Sequence, residues 1–167
     1  MAIKKEIEQE FNKQINEEVY SAYLYLAMAA DFAEKNLHGF AQWLKVQAQE
    51  EIVHAMKFYN HIIERIGKVE LGAIAKPPVS WKTPIDAFKS VYKHEQHITG
   101  RINSLVELAQ KHKDYASDAL LQWFTNEQIE EEAQTDAVAQ RLEMAGEHKG
   151  ALLFLDKEMC KRKFGNT

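Results

Sequence analysis

Four glutamates of this chain occupy positions where the apolar stripes of predicted helices call for hydrophobic side chains. Residues seven apart share one helix face, and at that spacing large, largely apolar residues flank each glutamate. The triplets are Phe11–Glu18–Tyr25, Leu44–Glu51–Phe58, Phe88–Glu95–Ile102 and Phe124–Glu131–Val138. An unpaired buried charge costs on the order of several kcal/mol. Four carboxylates in one core therefore require protons, basic partners or metal cations to compensate their charge.

Metal ions are the favoured compensation. No Lys or Arg falls on the stripes next to these glutamates, and His54 follows Glu51 by three residues. A carboxylate and an imidazole on one helical turn can reach the same ion. Oxygen-rich ligation with one imidazole suits iron or manganese better than an ion that prefers thiolates. Because four carboxylates balance the charge of two divalent cations, the pattern predicts a pair of ions.

Composition and charge exclude several other classes of protein. The chain has 167 residues, of which 28% are charged and 46% hydrophobic, as in an ordinary single globular domain. Its net charge of −4 gives no reason to expect a nucleic-acid partner. The single cysteine, Cys160, excludes an internal disulfide and a thiolate metal cluster. The charged N-terminal pattern predicts a cytoplasmic protein, and the longest nonpolar run, residues 22–30, is too short to span a membrane.

The periodicity of the apolar residues predicts five helices that position these side chains. The first two cover about 5–35 and 39–66, where Gly67 acts as the C-terminal glycine. The third begins at Pro84 with Thr83 as its cap, the fourth follows the cap Asp114 and ends at Gly146, and the short fifth covers about 149–163. The inward residues predicted for the first four helices are Ile7, Phe11, Glu18, Ala22, Tyr25, Ala29 and Phe32; Phe40, Leu44, Ala48, Glu51, Ala55, Phe58 and Ile62; Phe88, Val91, Glu95, Ile98, Ile102, Leu105 and Ala109; and Leu120, Phe124, Glu131, Val138 and Leu142.

The lengths of the connections predict the topology. Short breaks make the first and second helices, and the third and fourth, antiparallel neighbours. Residues 67–83 can span roughly 55 Å when extended, whereas a helix over 39–66 is about 42 Å long. This loop can therefore cross the whole bundle and leave the second and third helices parallel. The sequence predicts an all-α fold, with a four-helix bundle over about 5–146 that has one long crossover, plus a short C-terminal helix, in a single domain over 1–167.

With these features the chain resembles the ferritins, specifically the prokaryotic non-haem ferritins, over essentially its whole length. The segments that carry the resemblance are 16–25 (NEEVYSAYLY), 48–55 (AQEEIVHA), 92–95 (YKHE), 126–131 (NEQIEE) and 154–158 (FLDKE). Members of this family form hollow shells of about 24 subunits. They oxidise Fe(II) with oxygen or peroxide and store it as a ferric mineral.

The resemblance implies a role for each matching residue. Glu18, Glu51 and His54 would bind the first iron of a ferroxidase centre, and Glu51 would bridge to a second iron. The residues implied for the second iron and its surroundings are Glu95 and Glu131 as ligands, Gln128 beside them, and Tyr25 as a redox-active or hydrogen-bonding tyrosine. The residues implied for a third iron site are Glu50, Glu127 and Glu130, together with Glu131.

Departures from related families narrow the choice. Bacterioferritins and most di-iron oxygenases carry a second Glu-x-x-His, but here Gln134 follows Glu131 by three residues. Ile52 stands where a bacterioferritin has its haem-binding methionine, so no haem is expected. One cysteine cannot supply the additional iron domain of a rubrerythrin. A DNA-binding mini-ferritin would lack the fifth helix and place its ligands between subunits.

Alternative interpretations stay open at this stage. The leading hypothesis is an iron-oxidising storage enzyme; the others are a di-iron oxidase or oxygenase that acts on an organic substrate, and a non-catalytic helical shell. Tyr25 can also be a packed core tyrosine, and the third-site glutamates an ordinary solvated face. The position of Asp118 matches that of a channel carboxylate in the family, but Leu121 replaces the usual acidic companion one turn later.

Overall fold

The computed structural model describes residues 1–165, and within that range it contains five α-helices and no strand. The helices are α1 (Lys5–Glu34), α2 (His38–Glu64), α3 (Pro84–Lys111), α4 (Tyr115–Ala145) and α5 (Lys149–Met159). The predicted all-α class, with four long helices and one short helix, is confirmed. The fifth helix ends at Met159, earlier than the predicted residue 163, and the chain then turns back towards α2. None of the helices in residues 1–165 is both long and apolar enough to cross a membrane.

The predicted caps begin α3 and α4. The Asp86 backbone N–H donates to Thr83 Oγ1 at 3.2 Å, and the Thr83 hydroxyl donates to Asp86 Oδ2 at 2.7 Å. Asp114 Oδ1 accepts the N–H of Ser117 at 3.1 Å. These bonds use amide groups that have no partner inside a helix. Local sequence therefore determines where both helices begin.

The end of α2 differs from the prediction. The left-handed residue is Ile66, with φ 59°, rather than Gly67. Gly67 lies at a close approach instead: a Cβ at this position would lie 2.7 Å from Ile3 Cγ2 and 2.9 Å from Glu8 Oε2, so a larger residue would force these side chains to shift. Small size, and not a positive φ, is the physical reason for this glycine.

The long loop after α2 follows α1 along the bundle. Near its start the Asn12 side-chain amide donates to the Lys68 carbonyl at 2.9 Å, and near its end Lys35 Nζ donates to the Trp81 carbonyl at 2.6 Å. Asn12 and Lys35 lie towards opposite ends of α1. The loop is thus the predicted crossover, and it leaves α3 parallel to α2 and antiparallel to α1.

The core has two apolar clusters with a polar layer between them. One cluster contains Phe32, Phe40 and Phe88, and the other contains Phe11 and Phe58. Every predicted inward residue of α1, α2 and α3 is buried. On α4 the prediction of Leu120 was wrong: Leu120 is only partly buried and Leu121 is fully buried. The buried face of α4 alternates steps of three and four residues, and this register selects Leu121.

Helix α5 docks against the start of α2. The Phe40 N–H donates to Asp156 Oδ1 at 3.0 Å, and a Cβ at Gly39 would lie 1.6 Å from the Asp156 carbonyl oxygen. Leu152 and Leu155 pack against the first apolar cluster, whereas Leu153 and Phe154 remain exposed. Close backbone contact at Gly39 thus holds α5 on the bundle and directs the following residues towards the polar layer.

Candidate metal centre

The four predicted glutamates lie together in the polar layer, one from each long helix. Their exposed fractions are 1% for Glu18, 2% for Glu51, 1% for Glu95 and 3% for Glu131, and His54 beside them is 4% exposed. Burial to this degree removes nearly all of the hydration that a carboxylate has in water. The bundle therefore contains the concentration of buried acid that the stripes predicted.

The ligand atoms form overlapping groups. Glu18, Glu51 and His54 each offer one atom within 4.8 Å of the others, and Glu51, Glu95 and Glu131 do the same. Glu51 belongs to both groups, so its carboxylate can contact two ions at once. His54 Nδ1 lies 3.1 Å from Glu51 Oε2, as expected for residues on one helical turn.

Two glutamines orient these carboxylates. Gln14 Nε2 donates to Glu18 Oε1 at 2.8 Å. Gln47 Nε2 donates to Glu131 Oε2 at 2.6 Å and to Glu51 Oε1 at 3.1 Å. An amide donor on one oxygen of a ligand fixes the direction of its other lone pairs, as outer partners of metal ligands commonly do.

Each glutamine is itself held by an arginine. Arg101 Nε donates to Gln14 Oε1 at 2.8 Å, and Arg162 Nη1 donates to Gln47 Oε1 at 2.7 Å. Because an arginine can only donate, each amide is turned so that its NH₂ group faces the glutamates. The positive charge reaches the centre indirectly, through neutral amides.

On the α3 side, Glu95 has two side-chain donors. The Tyr25 hydroxyl donates to Glu95 Oε1, and Gln128 Nε2 donates to Glu95 Oε2 at 3.3 Å. Tyr25 is fully buried, and burial together with the negative charge of Glu95 raises its pKa well above the ordinary value. Tyr25 therefore stays protonated and remains a hydrogen-bond donor to this carboxylate.

Crowding of the carboxylates changes their protonation. Burial, followed by repulsion from Glu51, raises the pKa of Glu18 and that of Glu131 to about 8. Burial and the charges of Glu51 and Glu131 raise the pKa of Glu95 well above its ordinary value. Burial lowers the pKa of His54, but the negative charge of Glu51 and the nearby Glu127 carboxylate, 3.7 Å from Nε2, outweigh it, so the net shift is well upwards. Without a metal ion, the negative charge of the centre is therefore compensated by protons that these side chains retain.

One carboxylate oxygen of the centre also has an unused position for a ligand. Glu18 Oε2 is buried and has no hydrogen-bond partner among the residues that the structure describes. It belongs to the group that Glu18 forms with Glu51 and His54. A cation bound there would satisfy this oxygen, and hard oxygen donors with one imidazole fit an iron ion.

The predicted third-site glutamates lie outside this layer and do not all converge. Glu127 forms a group with His54 and Glu131 within 4.8 Å, and its Oε1 lies 3.7 Å from His54 Nε2. Glu50 pairs with Arg162, and burial raises its pKa while Arg162 acts against that rise. Glu130 is exposed and accepts a hydrogen bond from Gln134 at 2.7 Å. We call Glu50, Glu127 and Glu130 the outer carboxylates.

Other residues considered from the sequence lie apart from the centre. Asp118 is half-buried, and its Oδ1 has no hydrogen-bond partner within residues 1–165, while Leu121 packs in the apolar core. Leu121 therefore serves as a core residue and cannot act as an acidic partner of Asp118 in a channel.

Sequence reasoning missed Gln14, Gln47, Arg101 and Arg162. The glutamines had a detectable signal, because each lies four residues before a stripe glutamate and so on the same helix face. The arginines had none. Arg162 is 112 residues from Glu50, and Arg101 is 87 residues from Gln14.

The fold and this centre together define a helical-bundle protein with a buried group of carboxylates and one histidine that could hold metal ions. The family model described as a ferritin-like domain matches residues 8–145. The chain therefore belongs to the ferritin-like family.

Individual relatives agree with this assignment. The chain is 39% identical to a bacterial non-heme ferritin of Campylobacter jejuni over 93% of both chains. It is 34% identical to one of Bacteroides fragilis over 96% of this chain and 99% of that one. It also superposes on an open-pore ferritin from the archaeon Archaeoglobus fulgidus with a TM-score of 0.96 at 48% identity, over 97% of this chain and 100% of that one.

Proposed function

We propose that this protein stores iron and that its buried centre is a ferroxidase site, which oxidises Fe(II) to Fe(III). The observation that carries the proposal is the pair of ligand groups that share Glu51 inside a layer of four buried carboxylates. Membership in the ferritin-like family and similarity to bacterial non-heme ferritins support the same function.

Iron is the substrate of this site, and the two ligand groups support binding of two ions. Glu18 and His54 bind one Fe(II), Glu95 and Glu131 bind the other, and Glu51 bridges them. Each Fe(II) gives up one electron. Dioxygen takes the two electrons with two protons and becomes hydrogen peroxide, or hydrogen peroxide takes two electrons with two protons and becomes two water molecules. Proximity of two ions and charge compensation supply the catalysis, so no side chain needs to act as a general base.

The surrounding hydrogen bonds keep the ligands ready for the ions. Gln14 and Gln47 hold the carboxylates of α1, α2 and α4, and Tyr25 with Gln128 holds Glu95. Arriving ions displace the protons that the raised pKa values of Glu18 and Glu131 retain near neutral pH. Binding of the iron ions therefore releases the protons of Glu18 and Glu131.

The outer carboxylates form the third part of the proposal. Glu127 lies within reach of His54 and Glu131, so an ion that leaves the centre on this side meets Glu127 first. Glu50 and Glu130 complete a weaker third site only if their present partners, Arg162 and Gln134, release them. The weakness follows from greater hydration and competition by those partners.

Storage requires assembly, and the molecule has a surface suited to a second copy of this chain. An apolar groove of about 870 Å³ on α1 and α2 is lined in part by Tyr23, Leu26 and Ile52. These side chains are 52%, 48% and 45% exposed, and a patch of this kind marks a protein contact. We infer that copies pack here within a closed cytoplasmic shell of about 24 subunits.

Two observations argue against an enzyme that acts on an organic substrate and against a haem protein. Among the residues that the structure describes, the candidate ligands are not part of the lining of the apolar groove, so the groove itself does not open onto the metal centre as a substrate pocket would. Ile52 occupies the position expected for a haem-ligating methionine, which supports the proposal that the protein binds no haem.

The function is tested by removing the shared ligand or the histidine. Glu51→Ala and His54→Ala should each abolish fast Fe(II) oxidation under air, followed by absorbance with particle mass measured in the same samples. The metal-free Tm of Glu51→Ala should stay equal or rise, because a repelling buried carboxylate is removed. Glu64→Ala, an exposed change on the same helix, is the matched control. Oxidation at the wild-type rate in both ligand variants would show that the centre is assigned wrongly.

A further inference from the structure

Arg162 lies in the segment after α5 and reaches the edge of the metal centre. Its Nη2 atom is 2.5 Å from Glu50 Oε2, and both side chains are only 13% exposed. Its Nη1 donates to Gln47 Oε1 at 2.7 Å, and the guanidinium lies over the ring of Trp43, 4.2 Å from the centroid. A largely buried arginine with three partners is held in a defined position.

Glu50 links this arginine to the ions. It immediately precedes Glu51, and its second oxygen, Oε1, is buried without a hydrogen-bond partner in the part of the chain that the structure describes. One oxygen of the outer carboxylate is therefore occupied by a cation of the protein itself, and the other has no partner. A metal ion that used Glu50 as a ligand would meet the guanidinium charge at close range.

We propose that Arg162 is a displaceable internal cation, which compensates Glu50 until an outer metal ion takes its place. The inference rests on the proposed function, since the outer ion is iron on its way from the centre. An arginine side chain keeps its proton and its positive charge near neutral pH. The exchange is therefore a competition between two cations for one carboxylate.

The surroundings allow the exchange. Arg162 lines a cleft of about 480 Å³ between α4 and the segment after α5, and Glu130 and Glu158 line the same cleft. A guanidinium released from Glu50 can thus turn towards other carboxylates and water without entering the core. Arg162 also holds Gln47, which donates to Glu131, so its movement is coupled to a ligand of the inner centre.

Competition has a reciprocal consequence. If the outer ion must displace Arg162, removing the guanidinium must tighten outer-ion binding by the same coupling factor, and typical factors are roughly 5- to 150-fold. The inner pair of ions does not use Glu50, and Gln47 keeps its own donors to Glu51 and Glu131 when Arg162 is replaced, so inner binding should change less than outer binding. Arg162 is a positioning residue in this scheme, since it acts through Glu50 and Gln47.

The first test measures anaerobic binding of Zn(II), a redox-inactive probe, to the assembled protein by calorimetry and equilibrium dialysis. The outer ion is the one whose binding Glu50→Gln weakens. Arg162→Gln should tighten that ion by roughly fivefold or more. The matched control is Lys161→Gln, because it removes the same charge from the adjacent residue, whose partner is Glu158 at 2.6 Å. In the double variant Glu50→Gln with Arg162→Gln the gain should disappear.

The second test observes the arginine itself through Trp43. In a Trp81→Phe and Trp123→Phe background, Trp43 is the remaining tryptophan, and Zn(II) at the outer site should shift its emission as the guanidinium leaves the ring. The Arg162→Gln variant should lack that shift. A purely structural role for Arg162 would leave Trp43 insensitive to the ion.

The outcomes separate this inference from the proposed function. Unchanged outer-ion affinity in Arg162→Gln, or an equal gain in Lys161→Gln, overturns the inference. Binding of only the inner ions by both the wild type and Arg162→Gln also overturns it. Intact Fe(II) oxidation under air by metal-free preparations of the same two proteins would then leave the ferroxidase assignment standing. If the wild type failed to bind the inner ions, the proposed function itself would be refuted.

Discussion

Gln14 and Gln47 stand in the same relation to the metal centre. Each lies four residues before a buried glutamate of its own helix and donates its side-chain amide to that glutamate, at 2.8 Å for Gln14 and 3.1 Å for Gln47. Each amide oxygen accepts from an arginine that lies elsewhere in the chain. The antiparallel helices α1 and α2 thus each carry a glutamine that links an arginine to a buried glutamate. Gln47 also donates to Glu131 on α4.

Replacing Gln47 should weaken metal binding without unfolding the bundle. Gln47→Leu keeps a similar volume but removes the donor to Glu51 and Glu131, so the pKa of Glu131 should rise further and its protons compete better with ions. Loss of an outer partner of a metal ligand typically costs roughly 10- to 100-fold in affinity or activity. We expect a loss on that scale in Zn(II) affinity and in the initial rate of Fe(II) oxidation.

Gln110→Leu, at an exposed position of α3, is the control for the change of residue type. A Gln47→Leu protein that binds and oxidises iron as the wild type does would show that the amide is only a packing element.

The metal-free protein should lose stability as pH rises from about 5 to about 8. Glu18 and Glu131 have a pKa of about 8 in the folded state against an ordinary value of 4.5. Between these values the folded state binds more protons than the unfolded state, so the free energy of unfolding falls with increasing pH. A Tm series in a chelating buffer checks this direction.

Metal should reverse that dependence, because a cation replaces the protons and is bound more tightly as pH rises. The double variant Glu18→Gln, Glu131→Gln should show a flatter Tm profile without metal. A metal-free Tm that rises across this pH range would mean that other groups control the titration.

A charge in the apolar groove should disrupt assembly. Leu26, on α1, is 48% exposed and lines the groove, so Leu26→Glu would bury a carboxylate without a partner wherever a second copy covers this face. We expect smaller particles by light scattering, with the helical content unchanged. Met144→Glu alters a side chain that is 84% exposed and lies outside the groove, and it serves as the control. Particles of wild-type mass from Leu26→Glu would exclude the groove as a subunit contact.

Ile66→Gly should stabilise the protein. Ile66 has φ 59° and is 81% exposed, so glycine removes the strain of a β-branched residue in the left-handed region while little packing is lost. That strain is roughly 1–2 kcal/mol and is partly offset by the greater flexibility of unfolded glycine. A net gain of about 1 kcal/mol corresponds to a Tm increase of about 2–4 °C.

Ile63→Gly tests the reason for that gain. Ile63 is 52% exposed but lies within α2, where glycine lowers helix stability by about 1 kcal/mol. The two substitutions should therefore shift Tm in opposite directions. A decrease in both would show that the Ile66 side chain contributes contacts that outweigh its backbone strain.

Features set by neighbours along one helix were predictable from the sequence alone. The caps Thr83 and Asp114, the inward faces of α1 to α3, and the placement of His54 one turn after Glu51 all follow from the fixed geometry of a helix. Heptad spacing alone placed four glutamates on inward faces, and loop lengths predicted the crossover that brings them to one height. Family resemblance added the specific roles of these residues, and those roles stay predictions until metal binding is measured.

Only the tertiary structure decided which groups surround those glutamates. Arg162 meets Glu50, Tyr25 meets Glu95, and Gln47 meets Glu131 across 112, 70 and 84 residues of sequence. Such pairs depend on the distance between neighbouring helices and on the rotation of each helix about its axis. The spacing of residues along the chain determines neither quantity. The same reason explains the register of α4, in which Leu121 rather than Leu120 enters the core. Helical periodicity determines which residues face inward, whereas packing between helices determines what each inward residue contacts.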